Sequence, residues 1–182
     1  KDTSTAAITA GSVDNFQSSI KMDMSAFPHF HGSIDHWLHW KRKLRSAASV
    51  HGLDRVIVDE ETDRALNMKI ENLEEGSEDK RLFDKQNNYM YSVLSAKCTK
   101  QTPLLILRKH EGTRDGRQVF KDMREFYESK HNLNNMVNKC YSRISSLVLT
   151  RDYPGGAEAF LNDFQNCYLD LEYASQTEKD IL

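Results

Sequence analysis

Apolar residues three and four apart, interrupted only where glycine or proline falls, are the feature that most limits what this chain can become. Leu133, Val137, Cys140, Ile144 and Leu147 keep that spacing without a break, which lines them along one side of an α-helix. The chain has only three prolines and eight glycines, gathered between the periodic segments where helices stop. Strand-like alternation is nearly absent, with "RVIVD" at 55–59 the only short candidate. The pattern predicts an all-α protein whose neighbouring helices run antiparallel through short connections. No unit of 20–50 residues repeats, which argues against a solenoid.

The first strong helix is expected from "GSIDHWLHWKRKLRSAASVHG". Ser33 can cap it, and Asp35 suits the positive end of the helix dipole. Ile34, Trp37, Leu38, Leu44 and Ala48 form its stripe, Trp40, Ala47 and His51 widen it, and Gly52 stops it. Between Asp54 and Asp79 stand ten carboxylates against three basic residues, and a weak period at Leu66, Ile70 and Leu73 predicts a short helix plus loop. A long helix follows over 78–98, with Leu82, Gln86, Tyr89 and Val93 on one face beside Phe83, Met90 and Leu94.

"TPLLILRKHEG" reads as a short buried helix, and "GTRDG" after it marks a boundary between two lobes. Asp115, with Gln118 three residues on, nearly matches a capping box. The helix it opens has Val119, Phe120, Met123, Phe126 and Tyr127 as its apolar face. After the 133–147 seam, "RDYPGG" breaks the chain, and "AEAFLNDFQNCYLDLEYA" restarts it as a last helix with Ala157, Phe160, Leu161, Phe164, Tyr168 and Leu171.

Charge excludes one broad class. Lys plus Arg total 25 against 27 for Asp plus Glu, whereas a protein holding nucleic acid over its whole surface is normally basic. Cys98, Cys140 and Cys167 stand far apart with no CxxC pair, which fits buried thiols in a reducing compartment better than zinc or a disulfide framework. The longest apolar run is Leu104–Leu107, far short of the ~20 residues a membrane span needs. A soluble, intracellular protein is expected. Both ends read as cut: "KDTSTAAITAGS" is small and polar, and "SQTEKDIL" reads like the first turn of another helix.

The stretch "FPHFHGSIDHWLHW" at 27–40 packs four histidines and two tryptophans, and three readings compete for it. His36 and His39 could share a metal with His29 and His31, but zinc-binding helices usually space their histidines i, i+4 with a third ligand. Trp37 and Trp40 could stack on bases beside Lys41, Arg42, Lys43 and Arg45, the candidate RNA contacts. Both tryptophans also fall on or next to the apolar stripe, where aromatics are usually core. Catalysis has little support: there is no GxSxG elbow, and "YPGGAEAF" lacks the Lys-Ser/Thr of a phosphate loop. No enzyme activity, cofactor or metal is expected.

In order and spacing, three segments resemble the Gag capsid region of copia-type LTR retrotransposons. "FHGSIDHWLHWKRKLRSAASVHGL" resembles its opening, where a Phe-x-Gly loop leads into a helix with a Trp-x-x-Trp pair ending near Gly-Leu; those positions here are Phe30, Gly32, Trp37, Trp40, Gly52 and Leu53. "DGRQVFKDMREFYES" is similar to a later helix ending in an aromatic and a Tyr. "NKCYSRISSLVLTRDYPGGAEAFLNDFQNCYLDLE" resembles a Leu-rich helix, a break at Tyr153, Pro154, Gly155 and Gly156, and a further helix. The likeness covers 27–182. It departs where the family often has Trp in place of Phe120 or Phe126, in the longer, more polar "TPLLILRKHEGTRDG", and in lacking a Cys-x2-Cys-x4-His-x4-Cys knuckle.

The resemblance implies two small helical lobes like retroviral-type capsid N- and C-terminal domains. Residues 1–26 would be a flexible N-terminal segment, 27–112 the first lobe and 113–182 a truncated second lobe. Phe30 would pin the lead-in loop, and Trp37, Trp40 and Leu44 would anchor the first helix. Copies would self-assemble into cytoplasmic virus-like particles enclosing retrotransposon RNA, held mainly by a downstream region absent here, with no membrane partner. The alternatives are a helical protein–protein interaction module or an RNA-binding module, for example a domesticated Gag-derived host protein.

Overall fold

The computed structural model describes residues 24–58 and 64–180. Of the expected flexible segment 1–26, only a short 3-10 turn at Met24–Ala26 falls within them. The fold is all-α, with seven α-helices among the described residues: α1 Trp37–Val50, α2 Arg64–Glu71, α3 Glu78–Lys97, α4 Gln101–Lys109, α5 Gly116–Tyr127, α6 Lys130–Ser146 and α7 Gly156–Asp180. None of the described helices is long and apolar enough to cross a membrane.

The helix boundaries follow local chemistry. Ser77 caps α3 by accepting from the Lys80 N–H at 3.1 Å, and Asp115 caps α5 by accepting from the Gln118 N–H at 2.9 Å, each satisfying an amide with no partner inside its helix. Ser33 behaves differently from expectation. The chain enters α1 through a 3-10 turn, Ile34–His36. The Ser33 carbonyl accepts from His36 N–H at 3.2 Å, while its side chain makes no capping bond. The strand candidate at 55–59 is not a strand over its described part: Val56, Ile57 and Val58 are buried in irregular chain, so their apolar character serves burial without pairing.

The helix crossing of α3 and α5 depends on Gly116. A Cβ there would sit 2.6 Å from both Asn87 O and Tyr91 N, so only glycine lets the two backbones approach this closely. Asn87 ties the crossing, donating to Asp115 Oδ1 at 3.0 Å and accepting from the Arg117 N–H at 2.7 Å.

One apolar core runs from Phe27 to Ala174 and is continuous across the boundary expected at 112/113. Trp37 of α1 stacks on Tyr127 at the end of α5, with ring centroids 4.7 Å apart. The remaining two helices, α6 and α7, pack along each other as a hairpin, the most extensive helix pair in the fold. Within the expected α5 face, Phe126 departs: it is 45% exposed, because Tyr127 takes the inward position against Trp37 and Phe30.

Candidate interaction surface

The aromatic stretch around residue 30 is scaffold. Phe30 bridges two segments through its backbone, donating to Lys97 O at 2.9 Å and accepting from the Thr99 N–H at 3.1 Å. Its ring stacks on Trp40 at 4.4 Å and meets Trp37 edge-on at 5.7 Å. Trp37 and Trp40 are 0% and 3% exposed, and each buried indole N–H has an acceptor: Glu128 Oε1 at 2.8 Å and Pro28 O at 3.0 Å. These rings are not available to stack on bases. Gly32 takes φ +69°, and a Cβ there would press on Lys100 Cβ at 3.0 Å and Pro103 Cδ at 3.2 Å, so the Phe-x-Gly turn needs its glycine for both reasons. Gly52 follows α1 with φ +66°, and Leu53 behind it is fully buried.

The four histidines do not converge. His29 and His31 lie ring over ring at 6.5 Å, with His31 Nδ1 3.1 Å from Thr99 Oγ1 and His29 Nε2 3.5 Å from Lys97 Nζ. His36 and His39 are exposed on the first turns of the helix. Partial burial, then Lys43 and Arg42 nearby, hold His39 below the usual imidazole range. Among the described residues no group of three or more His, Cys, Asp or Glu could hold a metal ion. Burial pushes the Cys98 thiol up to about 12, which leaves it in the unreactive protonated form at neutral pH.

The basic run divides by position on α1. Lys41 is 2% exposed; its ammonium donates to Glu128 Oε1 at 2.6 Å and to the Tyr173 hydroxyl. Arg42 donates to Asp170 Oδ1 at 2.5 Å. Lys43 is exposed and Arg45 half-buried. Lys41 and Arg42 of the candidate RNA-contact run are therefore engaged within the molecule, linking α7 to α1. Sequence reading missed Glu128, Asp170 and Tyr173 as the partners of this run. They lie between 87 and 132 residues away, and no local pattern links positions so far apart. A cleft of about 500 Å³ opens beside these contacts, lined by Asp35, His36, Leu38, Lys139, Cys140 and Asp170 among others, with the Lys139–Asp35 ion pair at 2.7 Å within its wall.

Compared with family models, curated proteins and solved structures, the chain matches none.

The surface feature that stands out is α7. Its break works as a helix start: Gly155 and Gly156 take φ of 81° and 74°, and Tyr153 folds back to donate to Asp163 Oδ2 at 2.7 Å with its ring edge-on to Phe160. The helix then turns inward only part of the apolar set its sequence suggests, and Ala157 of that set is exposed. Cys167 and Ala174 are buried, and Phe160, Asp163, Asp170 and Leu171 half-buried. Leu161, Phe164 and Tyr168 are 56%, 39% and 54% exposed. The inward row is narrower in side-chain volume at Cys167 and Ala174, and it carries Asp170 to Arg42 and Tyr173 to Lys41. With these polar contacts made on its inward side, α7 leaves its bulkier apolar row in water.

Proposed function

We propose that this chain is a structural subunit that associates with copies of itself, a Gag capsid-like protein whose assemblies enclose retrotransposon RNA as cytoplasmic virus-like particles. The observation that carries the reading is where large apolar side chains remain exposed. Of eleven such residues among those described, seven lie between Tyr141 and Leu169, on the α6–α7 hairpin and its connecting loop. Concentrated exposed apolar surface marks protein–protein contact, and repeated weak contacts of this kind suit a shell. The resemblance of residues 27–182 to capsid regions supports the same reading, with 27–112 and 113–182 as counterparts of the two capsid lobes and RNA held mainly by a region beyond this chain.

Light scattering of the purified chain over a concentration and salt series, with negative-stain microscopy of the heaviest fraction, tests the proposal. Oligomers, tubes or shells formed without nucleic acid are expected. A strict monomer at every concentration overturns it and favours a helical adaptor that uses the same surface for a different protein.

A further inference from the structure

We propose that the exposed row of α7, Leu161, Phe164 and Tyr168, docks on α6 of a second copy, two hairpins closing into an antiparallel four-helix bundle about a two-fold axis along their length. The proposal rests on the self-association reading and names the surface that would carry it.

Spacing is the first argument. Leu161, Phe164 and Tyr168 recur at three and four residues, the seam by which one helix packs along another. This row stands roughly a third of a turn around α7 from Cys167 and Ala174, the buried residues of this helix. One helix therefore carries two packing rows, and among the described residues only one is covered.

Charge names the occupant. Helix α6 holds Lys130, Lys139 and Arg143 and no carboxylate; between Gly156 and Ala174, α7 holds Glu158, Asp163, Asp170 and Glu172 and no lysine or arginine. Lys139 and Asp170 are paired within the chain, with Asp35 and Arg42, whereas Lys130 and Glu172 are exposed. Setting α7 against α7 would oppose like charges, whereas setting it against α6 of a second copy opposes unlike ones. A two-fold axis makes that pairing twice at once, since each copy offers both the basic and the acidic helix.

Register follows from the same residues. Lys130 and Tyr141 are exposed and eleven residues apart on α6, and Leu161 and Glu172 are exposed and eleven apart on α7. Eleven residues are close to three helical turns, so each pair shares a face about 16 Å long. In an antiparallel pairing, Tyr141 meets Leu161 of the other copy while Lys130 meets its Glu172.

Sedimentation velocity on the full chain tests this with Leu161→Glu/Tyr168→Glu, Lys130→Glu, and Lys130→Glu combined with Glu172→Lys. All positions are exposed, so melting curves should stay near wild type and report folding independently. The double glutamate variant should sediment as monomer where wild type associates. Lys130→Glu should weaken association about tenfold, and adding Glu172→Lys should restore it. If wild type associates and the double glutamate variant associates equally, the α7 row is not the contact and the self-association reading stands without it. Failure of the charge swap to restore association overturns the α6–α7 pairing. A wild type that never associates overturns both readings.

Discussion

Lys41 Nζ lies 2.6 Å from Glu128 Oε1, with the two side chains only 3% and 7% exposed. The pair joins the middle of α1 to the residue just after α5, and the same carboxylate oxygen accepts from Trp37 Nε1 at 2.8 Å. On its other side the ammonium meets Tyr173 of α7, both at the hydroxyl and 4.9 Å from the ring centroid. Three helices thus meet on one buried charge pair. Ion pairs taken out of water gain little net stability, but removing one partner strands the other.

Lys41→Met should destabilise the protein by ~1–3 kcal/mol, because the buried Glu128 carboxylate loses its ammonium and keeps only Trp37 Nε1 and the more distant Arg124 Nε, 3.5 Å from Oε2. Exchanging Arg42, which is 40% exposed in its pair with Asp170, for Met should cost under ~1 kcal/mol. Urea unfolding of the two variants checks the contrast. Equal losses would mean that Lys41 gains enough water on relaxation to behave as a surface residue.

Trp37→Ala empties the centre of the aromatic cluster and should cost ~3–5 kcal/mol. Trp37→Phe keeps a ring against Tyr127 but leaves Glu128 without its indole donor, for a smaller loss of ~1–3 kcal/mol. Thermal melts rank the two. A Trp37→Ala protein that melts unchanged would mean the ring is exposed in solution, and base stacking would regain its place as a reading.

Gly116→Ala should lower stability by ~1–3 kcal/mol through overpacking, although alanine is ordinarily the better helix former. The methyl would have to push α5 off the α3 backbone at Asn87 and Tyr91. Denaturant melts that show a gain in stability would contradict this close crossing.

Acid should loosen the α4–α5 junction. His110 Nε2 stands 2.8 Å from Asp122 Oδ2. Partial burial pushes the Asp122 carboxyl up, but hydrogen bonds from His110 and Gln118 outweigh it, so the group titrates below its usual range. A carboxyl lowered on folding contributes stability that is present above its unfolded value, near pH ~4, and lost as pH falls through its folded value. Unfolding free energies measured from pH 6 down to pH 3 should drop less steeply for Asp122→Asn than for wild type. Parallel curves would remove Asp122 as a source of acid sensitivity.

Much of the helical content was legible in the chain itself. The long helix read over 78–98 is α3, Glu78–Lys97, and the cap read at Asp115 opens α5. Both succeed because apolar spacing and capping are local: the residues that form the bond or share the stripe lie within a turn or two of one another. The aromatic stretch at 27–40 was only half legible. Its place on an apolar stripe pointed to a packed helix, yet the acceptors that satisfy its indoles, Pro28 O and Glu128 Oε1, include one 91 residues away.

The sequence by itself determined that α7 would be a helix with a broad apolar arc, because three- and four-residue spacing needs no partner to define it. Which part of that arc turns inward was decided only by the tertiary structure. Phe160, Cys167 and Ala174 recur at helical spacing as Leu161, Phe164 and Tyr168 do, and periodicity cannot rank two rows on one helix. Long-range polar contacts made the choice: Asp170 reaches Arg42 and Tyr173 reaches Lys41 only when the smaller row faces in. Those partners lie 128 and 132 residues away along the chain, so no local pattern could show which row they would draw inward.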